Sequence, residues 1–183
     1  MKAFSPILVF LILLITSCSS DDAETSVNEN IIGTWIGTDL RVSGEIETER
    51  GGESVITILS GEGYDLTNTL VFSPSPNLVA SAGELNMIIS YTTDDDVIFE
   101  DIKGFELLGE GTWEIQGSEL IITDPNEVVE EDVEEEDGEE RIVRVYKLTN
   151  KELVIGIVEK EEDIEDDVTT TSLIETVLSF IRQ

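Results

Sequence analysis

From Val55 onward, apolar and polar residues alternate with a period of two, in one short run after another. Leu85, Met87, Ile89 and Tyr91 interleave with Asn86, Ile88 and Ser90, the pattern of a strand that buries one face. Ile142, Arg144, Tyr146 and Leu148 interleave with Val143 and Val145, and Leu153, Ile155 and Ile157 with Val154, Gly156 and Val158. At the end, Ile174, Thr176, Leu178 and Phe180 alternate with Glu175, Val177 and Ser179. Val55 to Leu59, Thr69 to Phe72 and Leu120 to Thr123 add further β-rich runs. Turn residues separate them: Ser73 to Asn77 with two prolines, Asp94-Asp95-Asp96, Gln116-Gly117-Ser118 and Thr149-Asn150-Lys151. A helical apolar stripe is lacking throughout. The chain is therefore expected to be all-β, with many short antiparallel strands in a sandwich or a closed barrel. About nine segments can be counted, and a closed antiparallel barrel needs an even number. Either Val97 to Asp101 and Gly104 to Ile115 are two strands, or two early segments form one bent strand.

The first residues follow a different logic. Lys2 precedes a mostly apolar run, Ala3 to Ile15, which ends at Ile15-Thr16-Ser17-Cys18. The run is too short for the roughly 20 apolar residues of a membrane span, and it carries its charge only in front, as an export signal does. A small residue directly before the single cysteine resembles the lipobox of outer-membrane lipoproteins. That resemblance implies a signal peptide over residues 1–17 and a diacylglycerol thioether on Cys18. Two or more acyl chains make a stable anchor. An ordinary export signal with a cysteine at its cleavage site is the alternative. Residues 18–30 are polar and read as a lipidated flexible tether. Their start, Ser19-Ser20-Asp21-Asp22-Ala23-Glu24, resembles the acidic signal that sends lipoproteins of Bacteroidota to the cell surface, with a periplasm-facing position as the alternative.

Residues 31–183 form the candidate domain. Gly33-Thr34-Trp35 near its start resembles the Gly-x-Trp opening of lipocalins and their calycin relatives. Leu70 to Tyr91, Gly109 to Ile115 and Tyr146 to Thr149 resemble the lipocalin-like lipoproteins of Bacteroidota. The resemblance implies an antiparallel up-and-down β-barrel of about eight strands. It also implies a base capped by Trp35, with Arg182 from the last strand packed over the indole. Arg182 shares its parity with Leu178 and Phe180, so it should point inward with them. Phe72, Met87, Tyr91, Phe99, Phe105 and Trp113 are the candidates for lining a pocket. A second Gly-Thr-Trp at Gly111 to Trp113 has unrelated flanks and is not read as a repeat.

Charge narrows the functions. The formal net charge is −31, with 41 acidic and 10 basic residues, which repels nucleic acid. There is no histidine, and the only cysteine is the candidate lipidation site, so His- and thiol-based catalysis and zinc ligation are excluded. No carboxylate pair stands out as catalytic, and no cofactor is implied; the chain is not expected to be an enzyme. Acid is concentrated in two blocks, Glu127 to Glu140 with ten carboxylates and Glu159 to Asp167 with seven. In an up-and-down barrel both are expected as loops at the open rim, solvated and without order. They would offer a weak calcium possibility at Asp132, Glu134, Glu136, Asp163 and Asp166, or a docking rim for a basic protein partner. The leading functional expectation is a lipid-anchored barrel holding a small apolar ligand without catalysis. The alternative is a structural or protein-interaction lipoprotein with a filled barrel.

Overall fold

The computed structural model describes residues 30–94, 96–106, 108–123, 140–165 and 167–183. Cys18, the rest of 1–29, and Asp132, Glu134, Glu136 and Asp166 lie outside the described residues. Eleven strands form one antiparallel sheet: β1 (Gly33–Arg50), β2 (Glu53–Tyr64), β3 (Thr69–Ser73), β4 (Leu78–Ala82), β5 (Leu85–Thr93), β6 (Asp96–Phe105), β7 (Gly111–Gln116), β8 (Glu119–Thr123), β9 (Glu140–Leu148), β10 (Glu152–Glu165) and β11 (Val168–Arg182). The order β1-β3-β4-β7-β8-β9-β10-β11 closes on itself through pairing of β11 with β1, giving an eight-stranded barrel.

The eleven segments reduce to eight staves because three staves are broken. β2 pairs with the upper part of β1 and β3 with its lower part, so the two make one bent stave. β4 and β5 make the next, pairing with β3 and β2 respectively. β6 and β7 make the third, against β5 and β4. Each stave neighbours the next in the chain, which is the up-and-down order. The excess over nine counted segments comes from these breaks.

The breaks lie side by side and are tied together. Thr67 donates its N–H to the Glu84 carbonyl at 3.1 Å, and Glu84 returns an N–H to Thr67 Oγ1 at 2.9 Å. Between them Gly83 has φ +85°, and a Cβ there would meet the Thr67 carbonyl oxygen at 2.3 Å. Only glycine takes that backbone at that distance without strain.

Alternation along the strands sorts the side chains. Trp35, Leu40, Leu70, Phe72, Val79, Trp113, Leu120, Val143, Leu153, Ile155, Leu178 and Phe180 point inward and are almost fully buried. The Phe72 and Trp113 rings meet edge to face, 5.8 Å apart at 85°, which adds about 1 kcal/mol to their burial. The lower barrel is thus filled with side chains, as small barrels allow.

Above it, six strands continue. β1 is 18 residues long, about 60 Å at the usual rise per strand residue. Its upper part stands in a sheet of order β10-β11-β1-β2-β5-β6. The block Glu159 to Asp167, expected as a loop, is instead mostly strand: Glu159 faces Ile174 and Glu165 faces Val168 across a continuous ladder. Two features make this tolerable. Opposite Glu161, Glu162 and Asp163 stand Ser172, Thr171 and Thr170, not further acids. Alternation also divides the charge between two faces.

Replacing Gly83 with alanine should destabilise the fold by about 2–4 kcal/mol, because it adds both backbone strain and a clash with a carbonyl. Chemical denaturation would measure this, and a loss below about 0.5 kcal/mol would contradict the kink assignment.

Candidate functional site

Two places in the structure gather the residues of interest: the floor of the barrel and the sheet above it. At the floor, Trp35 and Arg182 are direct register partners on β1 and β11. The guanidinium carbon sits 4.5 Å from the indole centroid. Arg182 Nη1 donates to the Ile32 carbonyl at 2.9 Å, and Nη2 donates to the Asn30 carbonyl. The indole Nε1 donates to the Ile31 carbonyl at 2.7 Å. Backbone bonds complete the closure, from Arg182 N to Lys151 O at 2.9 Å and from Gln183 N to Thr34 O at 3.0 Å. Ile31 is itself fully buried, so the segment entering β1 crosses under the plug. The result is a stopper at the barrel floor.

The six residues expected to line a pocket do not share one. Phe72, Met87 and Trp113 are packed into the solid core, and the Trp113 Nε1 donates to the Ser73 carbonyl at 3.2 Å. Tyr91, higher up, and Phe105, beside Leu85 at the lower end of β5, are half-buried against the core. Phe99 is a correction: it lies on the outer face of β6 and is 71% exposed. Its partner across the ladder is Ser90, whereas inward Tyr91 faces Ile98.

The inner face of the upper sheet is layered. Ile46, Leu59, Tyr91 and Ile174 form its apolar floor just above the core. Higher up come Thr48, Thr57, Thr93, Thr170 and Ser172, with Thr57 and Thr93 sharing a hydroxyl bond of 2.7 Å. Along one border, Glu159, Glu161, Asp163 and Glu165 follow each other on the same face of β10. Steps of two strand residues separate their Cα atoms by about 7 Å. Among the described residues, no three acidic side chains converge as metal ligands. Asp163 and Glu165 instead border a shallow open hollow of about 390 Å³ with Arg50, Val168 and Thr170.

The outer face of the same sheet carries the feature that alternation alone did not reveal. Ile56, Ile58, Ile88, Val97 and Phe99 are all about half exposed or more. Together with Ser60, Ser90 and Tyr64, Ile88 and Phe99 border an open groove of about 390 Å³. Below the groove, the Tyr64 hydroxyl donates to Asp101, which also pairs with Lys103 at 3.0 Å. The hydrogen bond from Tyr64 and then that from Lys103 hold the Asp101 carboxyl below its usual range, and the same contact with Asp101 raises the Tyr64 phenol. Burial, and then Glu100, push the Tyr91 phenol up on the other face.

The fold defines the class: a closed eight-stranded up-and-down barrel, filled below and prolonged above into an open sheet. The chain matches no family model, no curated protein and no solved structure.

A Tyr64→Phe substitution removes a donor that favours the ionised form of Asp101, so the Asp101 pKa should rise toward the ordinary carboxylate range. In the parent protein this interaction persists at neutral pH and is lost as pH falls through the lowered Asp101 pKa. Carboxyl-carbon NMR titration reads the shift directly, and an unmoved Asp101 would contradict the contact.

Proposed function

We propose that this chain is a lipid-anchored, non-catalytic interaction protein of the bacterial envelope, similar to lipocalin-like lipoproteins but with a filled barrel. The single observation that carries this reading is the contrast between the two halves of the molecule. Below, aromatic and aliphatic side chains occupy the barrel interior with essentially no exposure. Above, the outer face of a six-stranded sheet leaves Ile56, Ile58, Ile88, Val97 and Phe99 open to solvent. Contiguous exposed apolar surface bordered by polar residues marks interaction sites in soluble domains. In this reading the barrel is a pedestal, and the lipid on Cys18 holds it to the outer membrane, facing the cell surface. The signal-like run before Cys18 and the polar residues after it support that placement.

A second reading keeps a small apolar ligand, because Ile46, Tyr91 and Ile174 continue an apolar lining above the plug. The two differ in what Trp35 and Trp113 report. Both indoles are buried in the filled part, so the first reading expects no saturable change in their fluorescence when retinol or a fatty acid is titrated in. A saturable response at micromolar ligand would favour the second reading. Labelled palmitate should be incorporated in cells, and Cys18→Ser should abolish it. Incorporation that survives this substitution would overturn the anchor.

A further inference from the structure

We propose that β6 is the docking edge for an extended segment of a partner protein that is apolar on one face and cationic on the other. This deepens the interaction reading above and rests on it. β6 is the terminal strand of the sheet order, with β5 on one side and no strand on the other among the described residues. It is ten residues long, and Val97, Ile98 and Phe99 near its tip are 50%, 66% and 71% exposed. Long apolar edges are what soluble proteins normally guard against, with lysine, proline or a covering loop. Among the described residues, these three positions of β6 have no such guard.

Backbone geometry decides how a partner would attach. Thr93 faces Asp96 across a two-residue connection, and the register then runs unbroken to Met87 and Ile102. In such a hairpin the closing pair exchanges hydrogen bonds, so Asp96, Ile98, Glu100 and Ile102 bond toward β5. Val97, Phe99 and Asp101 therefore turn their N–H and C=O groups to the open side. A strand laid there would be held by main-chain bonds, the general mode of β-augmentation.

The two faces of this edge differ in chemistry. On the outer face, Val97 and Phe99 adjoin Ile58, Ile88 and the groove floored by Ser60 and Ser90, while Asp101 is already neutralised by Lys103. On the inner face, Asp96 and Glu100 alternate with Ile98 and Ile102. Among the described residues, the ion pairs are Arg41–Asp39, Lys103–Asp101 and Lys147–Glu152, so neither Asp96 nor Glu100 has a cation. Side chains directly opposite across a ladder share a face. The matching strand thus carries apolar residues toward Val97 and Phe99 and lysine or arginine toward Asp96 and Glu100.

Charge also separates this occupant from two others. The segments 18–29 and 124–139 of this chain are themselves acidic, and a second copy would bring another net charge of −31. Both would set like charges against Asp96 and Glu100.

The test uses the intact chain and a dye-labelled twelve-residue peptide of alternating valine and lysine. Controls are a peptide with the same residues in two blocks and one alternating valine with glutamate. The alternating cationic peptide should bind at least about tenfold more tightly than either control. Its binding should slow amide exchange at Val97, Phe99 and Asp101. Phe99→Pro removes an edge N–H that β5 does not use, and should weaken binding at least about tenfold with circular dichroism and unfolding midpoint unchanged. Phe99→Lys, which keeps the N–H, should weaken it as well. Equal binding of the blocked peptide, or protection centred on β10, would show simple attraction to a polyanion and overturn the proposal. So would a concentration-dependent dimer abolished by Phe99→Pro, or edge amides already protected in the free chain and released by deleting 124–139. These readouts are independent of ligand titration and palmitate labelling, so failure here leaves the broader reading standing.

Discussion

The whole architecture depends on the meeting of the first and last strands at Trp35 and Arg182. A barrel has no free edges only if its sheet closes, and closure here requires residues nearly 150 positions apart to register correctly. The Arg182 guanidinium does three things at once: it stacks on the indole, and it donates to the carbonyls of Ile32 and Asn30. Those carbonyls belong to the segment that crosses beneath the plug. One side chain thereby ties the C-terminal strand, the first-strand aromatic and the entry to the domain. With the bottom locked in this way, the ladder between β1 and β11 runs unbroken from Asp39 to Arg50.

That long ladder explains the open upper half. β1 and β11 extend well beyond the level of β3, β4 and β8, each only five residues long. The short strands can close a barrel only at the bottom. The breaks beside Gly83 let β2 and β5 follow β1 upward while β3 and β4 stay in the ring. Gly61 and Gly63 help on the inner face of β2, where a Cβ at Gly63 would press into Leu40 at 2.6 Å. Small residues at that level leave room for the core while the sheet bends away. A solid pedestal and a projecting sheet therefore follow from one set of strand lengths.

Much of this was legible in the order of residues. The period-two runs at Leu85–Tyr91, Leu153–Ile157 and Ile174–Phe180 placed strands and their inward faces correctly, because each buries one face against a real core. The parity of Arg182 with Leu178 and Phe180 was visible for the same reason. The misreadings have physical causes. Val97-Ile98-Phe99 is a continuous apolar run, so alternation could not say which residue turns inward. Phe99 and Phe105 also share parity in sequence, but the irregularity between Leu85 and Met87 shifts the register, and only Phe105 packs on the core. The acidic block after Glu159 looked like a loop because charge density was weighed without its partner strand, whose threonines and serine sit opposite. The edge at β6 depends on which strands fail to meet, a property of topology that no local pattern carries.

The account stands on coupling between the first and last strands at the barrel floor, and a double-mutant cycle measures it most directly. Trp35→Leu and Arg182→Met, alone and combined, would be compared by equilibrium unfolding. The account predicts a coupling free energy of about 1–2 kcal/mol, the size of a buried cation–π contact with its supporting hydrogen bonds. Additivity within about 0.3 kcal/mol would mean that the indole and guanidinium act independently, and would contradict closure through this pair.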